Sequence, residues 1–197
     1  MTSTKVRIHA FEPASRANGP GLRAVVWFQG CTLGCPGCFN PGAHDPKGGS
    51  LVDIEELVQR ILAHRNEIEG VTISGGEPFE QAGALLNLLE RLAGSKLSRL
   101  VFTGYALQEV MALPIGPRIL ERVDVLVAGH YIDSLRLGRG LLGSSNQRIH
   151  LLTGRYRAED FKHIPVREVI VHSDGTITLS GIDPLTRLRS GGDRLAK

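Results

Sequence analysis

This sequence predicts an α/β fold, a parallel sheet flanked by helices, on three observations. Short β-type runs alternate with helical ones over most of its 197 residues. One run, Val123–Ala128 (VDVLVA), is almost wholly apolar, as strands covered on both faces are. The chain is 42% hydrophobic and 22% charged, the balance of an ordinary globular domain rather than of a disordered or fibrous one.

Element by element, Lys5–His9 and Ala24–Gln29 read as strands. Leu51–Asn66 carries Leu51, Ile54, Leu57, Val58, Ile61 and Leu62 at helical spacing, with Asp53 and Glu55 near its start. Val71–Ser74 is a strand ending in Gly75-Gly76, Gln81–Ala93 a helix, and Leu97–Thr103 a strand ended by Gly104. A short helical piece near Ala106–Ala112 precedes the apolar strand Val123–Ala128. From Gly138 to Gln147 the text, GRGLLGSSNQ, is loop-like, and a short apolar run follows at Ile149–Leu152. Val166–His172 and Thr176–Ser180 then alternate around Ser173-Asp174-Gly175, which is a hairpin signal. These shifts place a boundary near Thr153, between a βα body (residues 1–153) and a small β appendage (residues 154–197).

No run approaches the roughly 18 apolar residues of a membrane helix, and the opening MTSTKVRIHAFE lacks the apolar centre of a signal peptide, so a cytoplasmic protein is expected. The net charge of +3 is too small to indicate nucleic acid. Arg136, Arg139, Arg148, Arg155, Arg157, Lys162 and Arg167 outnumber Glu159 and Asp160 in one segment, which reads as a solvated basic face.

All three cysteines fall within GCTLGCPGCFN, at Cys31, Cys35 and Cys38. Three clustered thiols cannot all pair, so a disulfide framework is excluded and a reduced compartment expected. Gly30, Gly34 and Gly37 permit close backbone approach, Pro36 stiffens the loop, and thiolates suit iron–sulfur clusters or zinc. Structural zinc takes four ligands and would have to recruit a histidine such as His44. Electron-transfer clusters use four cysteines. A four-iron cluster held at three corners instead leaves one iron open to a substrate, and an open metal position is where chemistry occurs.

The C-x3-C-x2-C spacing at the end of a strand resembles the signature of the radical S-adenosylmethionine enzymes. The wider text is similar to the activating-protein family of anaerobic ribonucleotide reductase. It carries Asn18-Gly19-Pro20-Gly21 with Arg23, CTLGCPGCFN, Ser74-Gly75-Gly76-Glu77-Pro78, Phe102-Thr103-Gly104-Tyr105, Val123–Val127 and Gly143–Gln147, in family order over roughly residues 18–152. The resemblance implies that Cys31, Cys35 and Cys38 hold a [4Fe–4S] cluster whose open iron chelates S-adenosylmethionine. One electron from a reducing donor then yields methionine and a 5′-deoxyadenosyl radical that removes a hydrogen atom from the substrate.

It also implies an incomplete TIM-type (βα)6 barrel with a C-terminal β-hairpin appendage, since the chain is shorter than the about 250 residues of a full barrel. The Gly75-Gly76-Glu77-Pro78 turn is assigned to the methionine amino group, with Glu77 offering charge or a hydrogen bond to the ammonium. Phe39 either packs beside adenine or anchors its loop in the core. Thr103, Gly104 and Tyr105 line the same mouth, and Asn146 is a candidate contact to the nucleoside. Where these activases are expected to carry an acidic residue after the VDVLV strand, this chain reads Ala128-Gly129-His130. The expected partner is a glycyl-radical enzyme. The rival expectations are a small radical enzyme acting directly on a metabolite or peptide, and a zinc-stabilised binding module.

Overall fold

The computed structural model describes residues 3–182, so residues 183–197 of the expected appendage lie outside the described part. The chain forms strands β1 (Lys5–Ser15), β2 (Arg23–Phe28) and β3 (Ser50–Asp53), helix α1 (Ile54–Leu62), β4 (Gly70–Gly75), α2 (Ala82–Leu92), β5 (Ser98–Thr103), α3 (Leu107–Ala112) and α4 (Gly116–Leu120). There follow β6 (Val125–Ala128), β7 (Arg136–Arg139), β8 (Leu142–Ser144), β9 (Arg148–Leu151), β10 (Arg167–Val171) and β11 (Ile177–Gly181). One seven-stranded sheet, in the order β3-β1-β2-β4-β5-β6-β9, is the centre of this mixed α/β fold.

The pairs β2–β4, β4–β5 and β5–β6 are parallel, while β1 is antiparallel to both β2 and β3, and β9 to β6. Connection length decides this. Residues 16–22 are too few for the crossover of a dozen or more residues that a parallel β1–β2 pair would need. Between β6 and β9 the chain makes the small β7–β8 hairpin rather than a crossover helix. That hairpin occupies most of the stretch expected to be loop.

Both sheet faces are covered. Val6, Val26, Phe28, Ile73, Val101 and Leu126 meet Leu57, Ile61, Leu85 and Leu89 of α1 and α2 on one face. Leu100, Val125 and Val127 meet Leu141, Tyr156, Phe161 and Ile164 on the other. Alternate residues of β5 and β6 therefore enter different cores, and the apolar text of β6 follows from double burial. No helix among the described residues is long and apolar enough to cross a membrane.

The expected helix over Leu51–Asn66 begins later than its periodicity indicates. Leu51 and Val52 belong to β3, paired with Arg7 and Val6 of β1, and Leu51 is 56% exposed. Asp53 is the N-cap, its carboxylate accepting from the Glu55 N–H at 2.8 Å. Strand pairing with β1 overrides the helical spacing of Leu51.

Two ends of the parallel strands do different work. At their N-terminal ends the Arg23 side chain is fully buried and donates to Thr72 Oγ1 at 2.8 Å, Ser98 Oγ at 2.9 Å and the Val71 carbonyl at 2.9 Å. Tyr156 accepts from it at 3.1 Å and in turn donates to Glu69 at 2.6 Å, which links the buried cation to a carboxylate. Burial lowers the Arg23 pKa and raises that of Tyr156. The opposite, C-terminal ends of these strands carry the cysteine loop.

Candidate functional site

The cysteine loop leaves β2 at Phe28 and is tied to its surroundings mainly through backbone. Gly30 N–H donates to the Ala43 carbonyl at 2.7 Å, and Cys31 N–H to the His44 carbonyl at 3.0 Å. Gly76 N–H donates to Phe28 O and Glu77 N–H to Gly30 O, both at 2.8 Å, so the Gly75-Gly76 turn ending β4 is bonded to the start of the cysteine loop. Glycine is required here. A Cβ on Gly76 would lie 2.2 Å from the Gly30 carbonyl oxygen, and Gly75 combines φ +106° with a Cβ position 2.4 Å from Phe28 backbone.

A cleft of about 650 Å3, counted out to its open mouth, lies over this junction. Cys31, Cys35, Cys38, Phe39, Gly75, Gly76, Glu77 and Thr103 all line it. Eight of the ten positions expected to bind or react thus face one cavity, at the C-terminal ends of β2, β4 and β5 where open α/β sheets present their ligand face. Pro78 and Asn146 are not part of its lining. Pro78 is buried at the start of a 3-10 turn, Pro78–Gln81, and Asn146 donates to the His130 carbonyl at 2.8 Å.

Glu77 ties the strand ends together as well as lining the cleft. Its carboxylate is 1% exposed and accepts three hydrogen bonds, from Phe79 N–H (2.9 Å), Thr103 Oγ1 (2.9 Å) and Gly104 N–H (2.8 Å). It fastens the end of β4 to the end of β5. Burial pushes its carboxyl up to about 7 against the pull of those donors. Burial likewise pushes the Cys31 thiol up to about 11 and raises Cys38, so the loop takes up metal only with loss of thiol protons.

Glu80 and Tyr131 belong to this site and were not read from the sequence. Glu80, three residues after Glu77, accepts from Thr32 N–H at 2.7 Å and Thr32 Oγ1 at 2.6 Å, joining the SGGEPFE text to the CTLGC text. Tyr131 stacks on Phe39 with ring centroids 4.8 Å apart, and both line the cleft, as do Asn40, His44 and Gln147. Gln147 also closes a hydrogen-bonded turn, accepting from Gly143 N–H at 2.9 Å. No periodicity or motif announces Tyr131, because it follows β6 in irregular chain. Ala128, at the position where an acid was expected, is buried in the sheet opposite Thr103.

Three soft thiols around one cleft are a donor set that suits an iron–sulfur cluster. Each can take a separate corner of a cube. A three-thiol loop closing on a Gly-Gly turn across parallel strands is the arrangement expected from the resemblance to the radical S-adenosylmethionine enzymes.

The chain matches the family described as a 4Fe-4S single cluster domain over residues 17–150. It is 31% identical over 157 residues to the anaerobic ribonucleoside-triphosphate reductase-activating protein of Salmonella typhimurium, spanning 75% of this chain and 99% of that protein. It is 28% identical over 169 residues to the pyruvate formate-lyase 1-activating enzyme of Escherichia coli strain K12, spanning 84% of this chain and 68% of the relative. Among solved structures, QueE from Escherichia coli aligns at a TM-score of 0.39 with 20% identity, over 51% of this chain and about half (52%) of QueE. The chain belongs to the 4Fe-4S single cluster domain family and is a radical S-adenosylmethionine enzyme.

Proposed function

We propose that this protein activates a glycyl-radical enzyme, most specifically an anaerobic ribonucleotide reductase, by removing a hydrogen atom from a backbone glycine of that partner. The observation carrying the reading is that all three thiols share one cleft with the Gly75-Gly76 turn. It is supported by the activating proteins that the chain resembles across most of their length. Cys31, Cys35 and Cys38 would hold a [4Fe–4S] cluster, and the Gly75-Gly76 turn, with Phe39 and Thr103, would hold S-adenosylmethionine. When bound, the cluster supplies the electron that splits the sulfonium into methionine and a 5′-deoxyadenosyl radical.

The chain's own contribution is placement and exclusion of water. Gly76 lets backbone approach closely, Glu77 fixes the turn to the end of β5, Glu80 fixes it to the cysteine loop, and Phe39 with Tyr131 forms an aromatic wall. In this reading the sheet is an incomplete (βα)6 barrel of residues 1–153 with a hairpin appendage after it. A protein docked over its open side would keep the radical from solvent. The protein would work in the cytoplasm with a reducing electron donor. The rival reading, direct action on a metabolite or peptide, draws on Ala128.

The test is anaerobic reconstitution followed by S-adenosylmethionine cleavage with a strong reductant. Wild type is expected to release 5′-deoxyadenosine and Cys35→Ala to lose at least about 10³-fold. Equal turnover would contradict the cluster assignment. A glycyl radical appearing in added anaerobic reductase separates the activase from the metabolite enzyme.

A further inference from the structure

His44 lines the cleft and carries a buried ring nitrogen that no hydrogen bond among the described residues accounts for. It follows the 3-10 turn Pro41–Ala43, and its backbone is fixed on both sides. Its N–H donates to the Pro41 carbonyl at 3.2 Å, and its own carbonyl accepts from Cys31 N–H at 3.0 Å. The residue lines the same cleft as the three cysteines. Its ring Nε2 is buried and has no hydrogen-bond partner among the described residues.

Buried polar atoms are nearly always paired, because an unpaired one gives up its hydration and gains nothing. The neighbouring polar groups are engaged elsewhere. Asn40 Nδ2 reaches the Gly75 carbonyl at 3.4 Å, and the Gln29 amide serves His9, the Gly42 carbonyl and the Asp45 carbonyl. A partner for Nε2 therefore comes from what the cleft takes in, and the group assigned to this end of it is rich in sulfur acceptors.

Resting on the cluster reading above, we propose that His44 is a positioning residue for the iron–sulfur group, donating its Nε2–H to a cluster sulfide or a cysteine thiolate. The contact is a hydrogen bond only, and nothing is transferred. The added electron of the reduced cluster sits largely on iron and sulfur, and a hydrogen bond to sulfur stabilises that extra negative charge. Donors to sulfur are among the factors that set cluster potentials, and such outer contacts also orient the ligands. His44 thus raises the reduction potential, easing delivery of the electron to the cluster. The backbone bond from Cys31 to His44 ties ring and ligand to one piece of chain, which keeps the contact in register with the loop.

The experiment uses the full chain, reconstituted anaerobically with iron and sulfide, as wild type, His44→Phe and His44→Gln. Iron content and the EPR-monitored reduction potential are measured without S-adenosylmethionine. All three proteins should hold the full iron complement. The Phe variant should show a more negative potential than wild type, and Gln, which keeps an N–H donor, should recover part of the shift. An unshifted Phe variant overturns the inference, and so does loss of an iron from it, which would make His44 an iron ligand. Pulsed EPR of reduced wild type with 15N-labelled histidine gives a reading even where the Phe variant does not fold. A weak coupling is expected, while none at all, or the strong coupling of a ligated nitrogen, overturns it. Wild type that takes up no iron removes the cluster reading itself, whereas wild type that loads normally beside an unshifted variant removes this inference alone.

Discussion

Glu77 shows how a residue found by motif can also carry a structural bond that the motif does not announce. Its two oxygens are occupied by three donors from two strand ends, so it works as a bracket between β4 and β5. Its folded carboxyl titrates near 7 against 4.5 for an ordinary glutamate. Between those values the folded chain keeps a proton that the unfolded chain has lost, so this group's contribution to stability falls as pH rises from about 4.5 to 7. Glu77→Gln should flatten that part of the pH–stability curve of the metal-free protein. It should also cost about 1–3 kcal/mol by setting amide hydrogens against the Gly104 N–H. Urea melts at pH 5 and pH 7 measure both, and an unchanged slope would contradict the assignment. Gly76→Ala tests the junction differently. With its Cβ 2.2 Å from the Gly30 oxygen the turn must move, and S-adenosylmethionine cleavage should drop by about a hundredfold while the fold survives.

At the scale of elements, the sequence was legible wherever burial and local chemistry agreed. Ala24–Gln29, Val71–Ser74, Leu97–Thr103 and the helix Gln81–Ala93 all lie within a residue or two of β2, β4, β5 and α2, because each is apolar along its buried positions and is stopped by glycine or a polar turn. β3 was illegible, since Leu51 fits the stripe of α1 and only its partner β1, some forty residues earlier, makes it a strand. The β7–β8 hairpin was illegible for the opposite reason: its four- and three-residue strands are too short and glycine-rich to alternate. The N-terminal ends of the strands carry a prediction of their own. Tyr156→Phe removes the hydroxyl joining Arg23, Ser98 and Glu69, leaving buried polar groups short of a partner. It should cost about 3 kcal/mol in urea unfolding. Cleavage per loaded cluster should be unchanged, because this network lies at the far end of the strands; a large loss of turnover would refute that separation.

Across the whole molecule, stability should be graded from the sheet centre outward. β4 and β5 are paired on both sides and covered on both faces, whereas β10–β11 is a two-stranded pair with Val171 70% and Ile177 63% exposed. The pair is held to the body by polar contacts, Ser15 Oγ to Glu168 at 2.7 Å, Asn18 Nδ2 to Ser180 Oγ at 2.5 Å and His172 to Glu12 at 3.4 Å. Isolated two-stranded pairs are marginal in water. Hydrogen exchange should therefore release β10 and β11 amides well before those of β4 and β5. Equal protection would mean that the appendage and body open as one unit.

The sequence by itself determined that three soft thiols share one loop and that the fold is of the α/β class. Cysteine spacing is a property of a few consecutive residues, and apolar periodicity follows from the backbone of each element. Tertiary structure alone decided that Glu77 faces Thr103 and Gly104, that Glu80 holds Thr32, that Tyr131 walls the cleft and that Leu51 lies in a strand. Each of these is a meeting of segments distant along the chain, fixed by how the sheet orders its strands, and no local pattern of side chains carries that order.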